Sequence, residues 1–110
     1  MIQTLVIYEQ KREKRPFLDR LLGLRGIRAR ALIRARINRL ELGNFRDCKS
    51  VGGGVLELRV ALGPGYRVYL GRDGNTVVVL LYGGDKGSQS KDVRRAQLLW
   101  KEYKDAGKTL

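Results

Sequence analysis

Glu57, Arg59, Arg67 and Tyr69 fall on one side of two neighbouring β-strand patterns. Their types suit chemistry on a phosphodiester. RNA supplies its own nucleophile, the 2′-hydroxyl. Cleavage by its attack on the adjacent phosphate needs an acceptor for the 2′-OH proton, cations against the phosphorane oxygens and a donor for the leaving 5′-oxygen. Arg59 and Arg67 could supply the cations, because a guanidinium fork matches phosphate oxygens bidentately. Glu57 is a candidate base, ionised at neutral pH without any pKa shift but weakly basic. Lys49 and Lys86 could act electrostatically, or as acid or base if neighbours depressed their pKa values. Tyr69 could stack on a base or hydrogen-bond a phosphate. The plainer account is a solvent-facing ion pair between Glu57 and Arg59 with ordinary cross-strand packing of Tyr69. Pattern alone leaves both open.

The grouping rests on strand alternation, which sends successive side chains to opposite faces. In Val55–Leu62, Leu56, Leu58, Val60 and Leu62 share one face, and Glu57, Arg59 and Ala61 the other. In Tyr66–Leu70, Arg67 and Tyr69 oppose Tyr66, Val68 and Leu70. A Gly63-Pro64-Gly65 turn predicts a hairpin with Leu62 opposite Tyr66, Val60 opposite Val68 and Arg59 opposite Tyr69. The Asp73-Gly74 signal predicts a second hairpin that pairs Leu70 with Val77 and Val68 with Val79. Thr76–Tyr82 is apolar on both faces and suits a strand flanked on both sides.

Composition narrows the partners. Lys and Arg number 23 against 11 acidic residues in 110, for a formal charge of +12. The first 46 residues hold 12 of the bases and only 4 of the acids. Such an excess steers a protein toward polyanions, whether ribosome, mRNA, DNA or an acidic protein. Histidine is absent, which removes the commonest general base and metal ligand, and the single Cys48 leaves no zinc site to expect. No cofactor is expected. No P-loop pattern occurs, and Gly52-Gly53-Gly54 reads as a flexible entry into the next strand rather than a phosphate cradle. One cysteine rules out an internal disulfide and fits a reducing cytosol. Met1 precedes a strand pattern rather than a signal peptide, and no apolar run approaches membrane length, so a cytoplasmic location without a membrane partner is expected.

The elements that position these residues are a strand over Ile2–Tyr8, a charged connector over Glu9–Arg15 and a short helix opened by Pro16. That helix carries Phe17, Leu18, Leu21 and Leu22. A longer helix over Arg28–Leu42 has Ala29, Leu32, Ile33, Ile37 and Leu40 on one arc and stops at Gly43-Asn44. Arg28, Arg30, Arg34 and Arg39 lie mostly off that arc. They form either a solvated face or an RNA-contacting one. After the meander a Gly/Ser-rich loop leads to a helix with Ser90 as expected N-cap and Asp92 in its first turn. Val93, Ala96, Leu99, Trp100 and Tyr103 recur along it at helical spacing, with Trp100 expected in the core. One domain over 1–110 is predicted. Its class is α+β: a small antiparallel sheet of N-terminal strand plus three-stranded meander, with two N-terminal helices and a C-terminal helix. Helices on one face would leave the face of Arg59, Arg67 and Tyr69 partly open.

The segments KSVGGGVLELRV at 49–60, GPGYRVYL at 63–70, LLYGGDKGSQSKDVRRAQLLW at 80–100 and RARINRLELGNFRD at 34–47 resemble the RelE/ParE superfamily of type II toxins. The nearest likeness is to its HigB-like, phage-related addiction module killer branch. The resemblance spans nearly the whole chain and rests on the combination of ELR, GPGYRVY and GGDK. It implies a RelE-like fold and a bacterial toxin held inactive by a co-encoded antitoxin, in this branch a helix-turn-helix, HigA-like DNA-binding protein. It also implies metal-independent mRNA cleavage on the ribosome. Arg67 then matches the family's phosphate-stabilising arginine, Lys86 stands where RelE has a second catalytic arginine, and Arg59 falls near a basic strand residue. Glu57 stands where RelE has a lysine, and RelE's C-terminal catalytic tyrosine has no counterpart, its approximate position here being Asp92. A ParE-like inhibitor of DNA gyrase and a non-toxic basic nucleic-acid-binding module are the alternatives.

Overall fold

A computed structural model of the chain describes residues 1–11, 14–23, 26–63 and 65–107. Pro64 of the expected turn, residues 12 and 13 of the charged connector and the side chain of Leu22 lie outside the described residues. In chain order the elements are β1 (Thr4–Ile7), α1 (Pro16–Leu22), α2 (Ile27–Glu41), β2 (Cys48–Ser50), β3 (Val55–Val60), β4 (Tyr66–Asp73), β5 (Val77–Asp85) and α3 (Gln89–Gly107). A single 3-10 turn, Lys86–Ser88, joins β5 to α3. The class is α+β, with three α-helices and a five-stranded sheet among the described residues.

The sheet runs β1-β5-β4-β3-β2 and is mixed, which corrects the expected all-antiparallel arrangement. β1 lies parallel to β5, with Thr4 beside Val77 and Ile7 beside Leu80. Alternation reports which face a side chain takes and carries no information on strand direction, so this was not readable from pattern. β2 is an additional edge strand, short enough to hide in a loop reading. Gly52-Gly53-Gly54 is the tight turn between β2 and β3 rather than a loose entry: all three have positive φ, and the Val51 amide donates to the Val55 carbonyl at 3.0 Å.

The β3–β4 register differs from expectation by two residues. Val60 opposes Tyr66, Leu58 opposes Val68, Arg59 opposes Arg67 and Glu57 opposes Tyr69. A slip of two keeps every side chain on its own face, so the faces were legible although the partners were not. The β4–β5 register moves further, because β4 continues to Asp73, which opposes Val77. The pairing then shifts between Leu70 and Tyr69, where Leu70 meets Leu80 but Tyr69 meets Tyr82.

Both faces of the sheet are covered, which corrects the expected open face. On one side Phe17 of α1 and Ile33, Ile37 and Leu40 of α2 pack on Leu58, Val60, Val68, Leu70, Val78 and Leu80. On the other, Ala96, Leu99 and Trp100 of α3 pack on Val55, Tyr69, Val79 and Leu81. The apolar stripe of α3 needs a face of its own once α1 and α2 occupy the first. Trp100 is in the core, as expected, and glycines make room for it: a Cβ on Gly54 would lie 2.6 Å from its Nε1, and one on Gly71 would overlap the indole. α2 ends as predicted, the Gly43 and Asn44 amides donating back to the Leu40 and Arg39 carbonyls, each at 2.9 Å, in a Schellman arrangement. Entry to α3 differs from expectation. Ser90 does not cap it; instead the Asp85 carboxylate accepts from the Ser88 amide at 3.2 Å and starts the 3-10 turn from which α3 continues. No described helix is long and apolar enough to cross a membrane.

Candidate nucleic-acid interface

Two cross-strand rows build the site. Lys49, Glu57, Tyr69 and Tyr82 stand abreast on β2, β3, β4 and β5, and beside them Arg59, Arg67 and Gly84 form a second row. The first turns of α3 lie over these rows. Gly84 has no side chain because the Asp92 carboxylate occupies the space its Cβ would take.

Glu57 is the hub. It is completely buried, 0% exposed. Its Oε1 accepts from Arg59 Nε at 3.1 Å and its Oε2 from Gln89 Nε2 at 2.8 Å. Arg67 Nε stands 3.7 Å from Oε2, and Arg67 Nη1 donates to the Gly65 carbonyl at 3.0 Å. Burial alone would raise the Glu57 pKa. The contacts with Gln89, Arg59 and Tyr69 and the charge of Arg67 outweigh burial and hold it below the usual carboxylate range. A sealed, stabilised carboxylate is a poor proton acceptor, so the expected role of Glu57 as base is corrected.

Tyr69 is also corrected. It is 0% exposed beneath α3 and cannot stack on a base or reach a phosphate. Burial, together with the neighbouring Glu57 carboxylate, pushes its phenol pKa up. Arg67 Nε, 3.7 Å from the same carboxylate, has no partner within hydrogen-bond distance among the described residues.

Arg59 and Arg67 stand opposite each other and both meet Glu57, with unequal access. The Arg59 side chain is 53% exposed and that of Arg67 only 9%. Both line a groove of about 440 Å³ with Arg36, Asp47, Gly65 and Tyr66. Asp47 accepts from Arg36 Nη1 at 2.6 Å and stands 3.8 Å from Arg39 Nη1. Arg39 therefore borders this region, partly neutralised. Arg34 does not: it lines a separate groove between α1 and α2 with Leu18, Leu21, Ile27 and Arg30. Lys49 and Lys86 are exposed and make no ion pair among the described residues.

No family model matches the chain. An uncharacterized protein of Haemophilus influenzae is 53% identical over 82 residues, which cover 74% of this chain and 83% of that protein. The chain belongs to the family of that Haemophilus protein. The matched length is too great a share of both chains for a lone motif.

Sequence reasoning missed three residues of this neighbourhood. Gln89 supplies the shortest hydrogen bond to Glu57, yet a helix-start glutamine carries no local signal. Arg36 faces the groove although its neighbours on α2 face elsewhere, which helical periodicity around Ile33 and Ile37 could have revealed. Arg20 of α1 donates from Nε to the Gly83 carbonyl at 2.9 Å and stands 3.6 Å from Asp92 Oδ2. Asp92 is itself hydrogen-bonded to Ser88, so it serves the α3 entry. Cys48 is half-buried, and burial with the Asp47 charge pushes its thiol up to about 11, the state of an unreactive cysteine.

Proposed function

We propose that this chain is the toxin of a type II toxin–antitoxin module, RelE-like in fold and of the HigB-like branch. It acts in the cytoplasm as a metal-independent, ribosome-dependent mRNA endonuclease and so inhibits translation. What supports this most is the meeting of Arg59 and Arg67 on one carboxylate, at 3.1 and 3.7 Å, beside a groove open to solvent. The +12 charge would bring such a groove to RNA.

In the reaction the 2′-oxygen bonds to phosphorus as its proton leaves for an acceptor. The P–O5′ bond breaks, and a second proton goes to the 5′-oxygen, giving a cyclic 2′,3′-phosphate and a 5′-hydroxyl. Arg59, held through Nε and half-exposed on the groove, would bring its terminal nitrogens to the phosphorane oxygens. Arg67 adds charge from behind. Such preorganised cations act most strongly where charge develops in the transition state. Lys49 and Lys86 add exposed positive charge. A HigA-like, helix-turn-helix antitoxin would restrain the activity.

Expression should arrest translation, and mapping of mRNA ends should show cuts within translated codons. Co-expression of a helix-turn-helix protein encoded beside it should restore growth. Cuts on naked RNA at the same rate without ribosomes would remove the ribosome dependence. DNA damage and filamentation with intact mRNA would mark a ParE-like gyrase inhibitor, and unaffected growth a non-toxic nucleic-acid-binding module.

A further inference from the structure

Resting on the reading above, we propose that Glu57 is the positioning residue of this site, a buried internal counter-ion that aims Arg59 and Arg67 at a single phosphodiester. The carboxylate touches no solvent and so cannot meet substrate. It takes Arg59 by Nε, the inner edge of the guanidinium, which leaves the terminal nitrogens of a half-exposed side chain to face the groove. It stands against Arg67 by Nε as well, while Arg67 Nη1 is fixed on the Gly65 carbonyl. Two guanidiniums that would otherwise repel are thus held side by side with a defined orientation.

The charge count points the same way. Two cations against one carboxylate leave a net charge of one, which matches the single negative charge of a phosphodiester. Gln89 ties the arrangement to α3 at 2.8 Å, so the aim of the arginines depends on the docking of that helix.

The test uses the full chain with ribosome-programmed mRNA and, separately, a single-stranded RNA oligonucleotide across a salt series. Glu57→Gln keeps the volume and an acceptor but removes the counter-charge. It should slow single-turnover cleavage on the order of tenfold or more. It should also bind the oligonucleotide at least as tightly at low salt, with a log–log salt slope steeper by about 0.7, one added phosphate contact on single strands. A merely structural role would lower the melting temperature without steepening that slope. Arg59→Lys keeps the charge on a half-exposed side chain but loses the Nε contact, so it should leave the salt slope unchanged and lose cleavage to a similar degree. If Glu57→Gln fails to fold, Arg59→Lys alone decides. Wild-type chain that cuts no mRNA overturns the proposed function and this inference together. Wild-type chain that cuts, with Arg59→Lys cutting equally well, overturns the positioning inference alone.

Discussion

The sheet face under α3 has two unlike ends. Along it β3 presents Val55, Glu57 and Arg59 in turn, and β4 presents Gly71, Tyr69 and Arg67. At the Val55–Gly71 end the face is dry. Trp100 lies over Gly71, stacks on Tyr103 with ring centroids 5.2 Å apart and meets Leu99, Val79 and Leu81 in one cluster. At the Arg59–Arg67 end the same strands and the same helix hold a buried carboxylate, one buried guanidinium, one half-exposed guanidinium and an amide. The apolar end needs no function to justify it, because burial of apolar area drives folding. The charged end carries a desolvation cost that well-packed apolar residues would avoid. That cost falls beside an open groove, the setting in which perturbed charged groups tend to cluster at functional sites.

The comparison is broken most severely at the dry end. Trp100→Ala should cost about 3–5 kcal/mol, the usual loss for a truncated core aromatic, read as a drop in the denaturant midpoint with unchanged m. Loss below about 1 kcal/mol would mean that α3 is not the main cover of this face.

At the charged end, Arg67→Ala should cost about 3 kcal/mol, because it strips Glu57 of its most buried counter-charge. That cost comes from the stranded carboxylate. Glu57→Leu combined with Arg67→Met should therefore recover most of it, making this end resemble the other. If the double variant is as unstable as Arg67→Ala, the pair is not the coupled unit the distances describe. It follows that Arg67→Ala is a poor probe of activity, since fold and function would fall together.

Acid gives a smaller effect of defined sign. Glu57 has its folded-state pKa depressed, so its contribution to stability is fully present above the unfolded value of about 4.3 and fades as pH falls through the folded one. Unfolding free energy measured from pH 3 to 7 should fall more steeply below about pH 4.3 in wild type than in Glu57→Gln. Parallel curves would mean that the carboxylate is not held anionic by its neighbours.

The two ends also differ in how legible they were. Val93, Ala96, Leu99 and Trp100 announced themselves by helical spacing, and alternation put Glu57, Arg59, Arg67 and Tyr69 on one face despite a register two residues out. Alternation could not say what covers that face. Once α3 takes it, Tyr69 becomes core and Glu57 becomes a counter-ion, although neither residue moved from its predicted side. The parallel pairing of β1 with β5 and the Gln89 contact depend on tertiary docking, for which no local pattern exists. Arg34 and Arg39 shared a sequence reading, yet helix rotation sends Arg34 to a different groove from the one Arg39 borders.

The smallest stability effect should belong to Arg59, and there the two ends can be told apart most sharply. Its side chain is 53% exposed, so its pairing with Glu57 is screened by water on one side. Arg59→Ala should change stability by no more than about 1 kcal/mol, the range of exposed ion pairs, and Glu57 would keep Gln89 and Arg67. If its terminal nitrogens meet the phosphorane, the same variant should lower cleavage on the order of 10²–10³-fold. No substitution at the Trp100 end can produce that combination, because there activity can be lost only through the fold. An Arg59→Ala chain that melts with wild type yet leaves mRNA intact would make the charged end a site. One that melts with wild type and still arrests translation would make Arg59 no more than a solvated partner of Glu57.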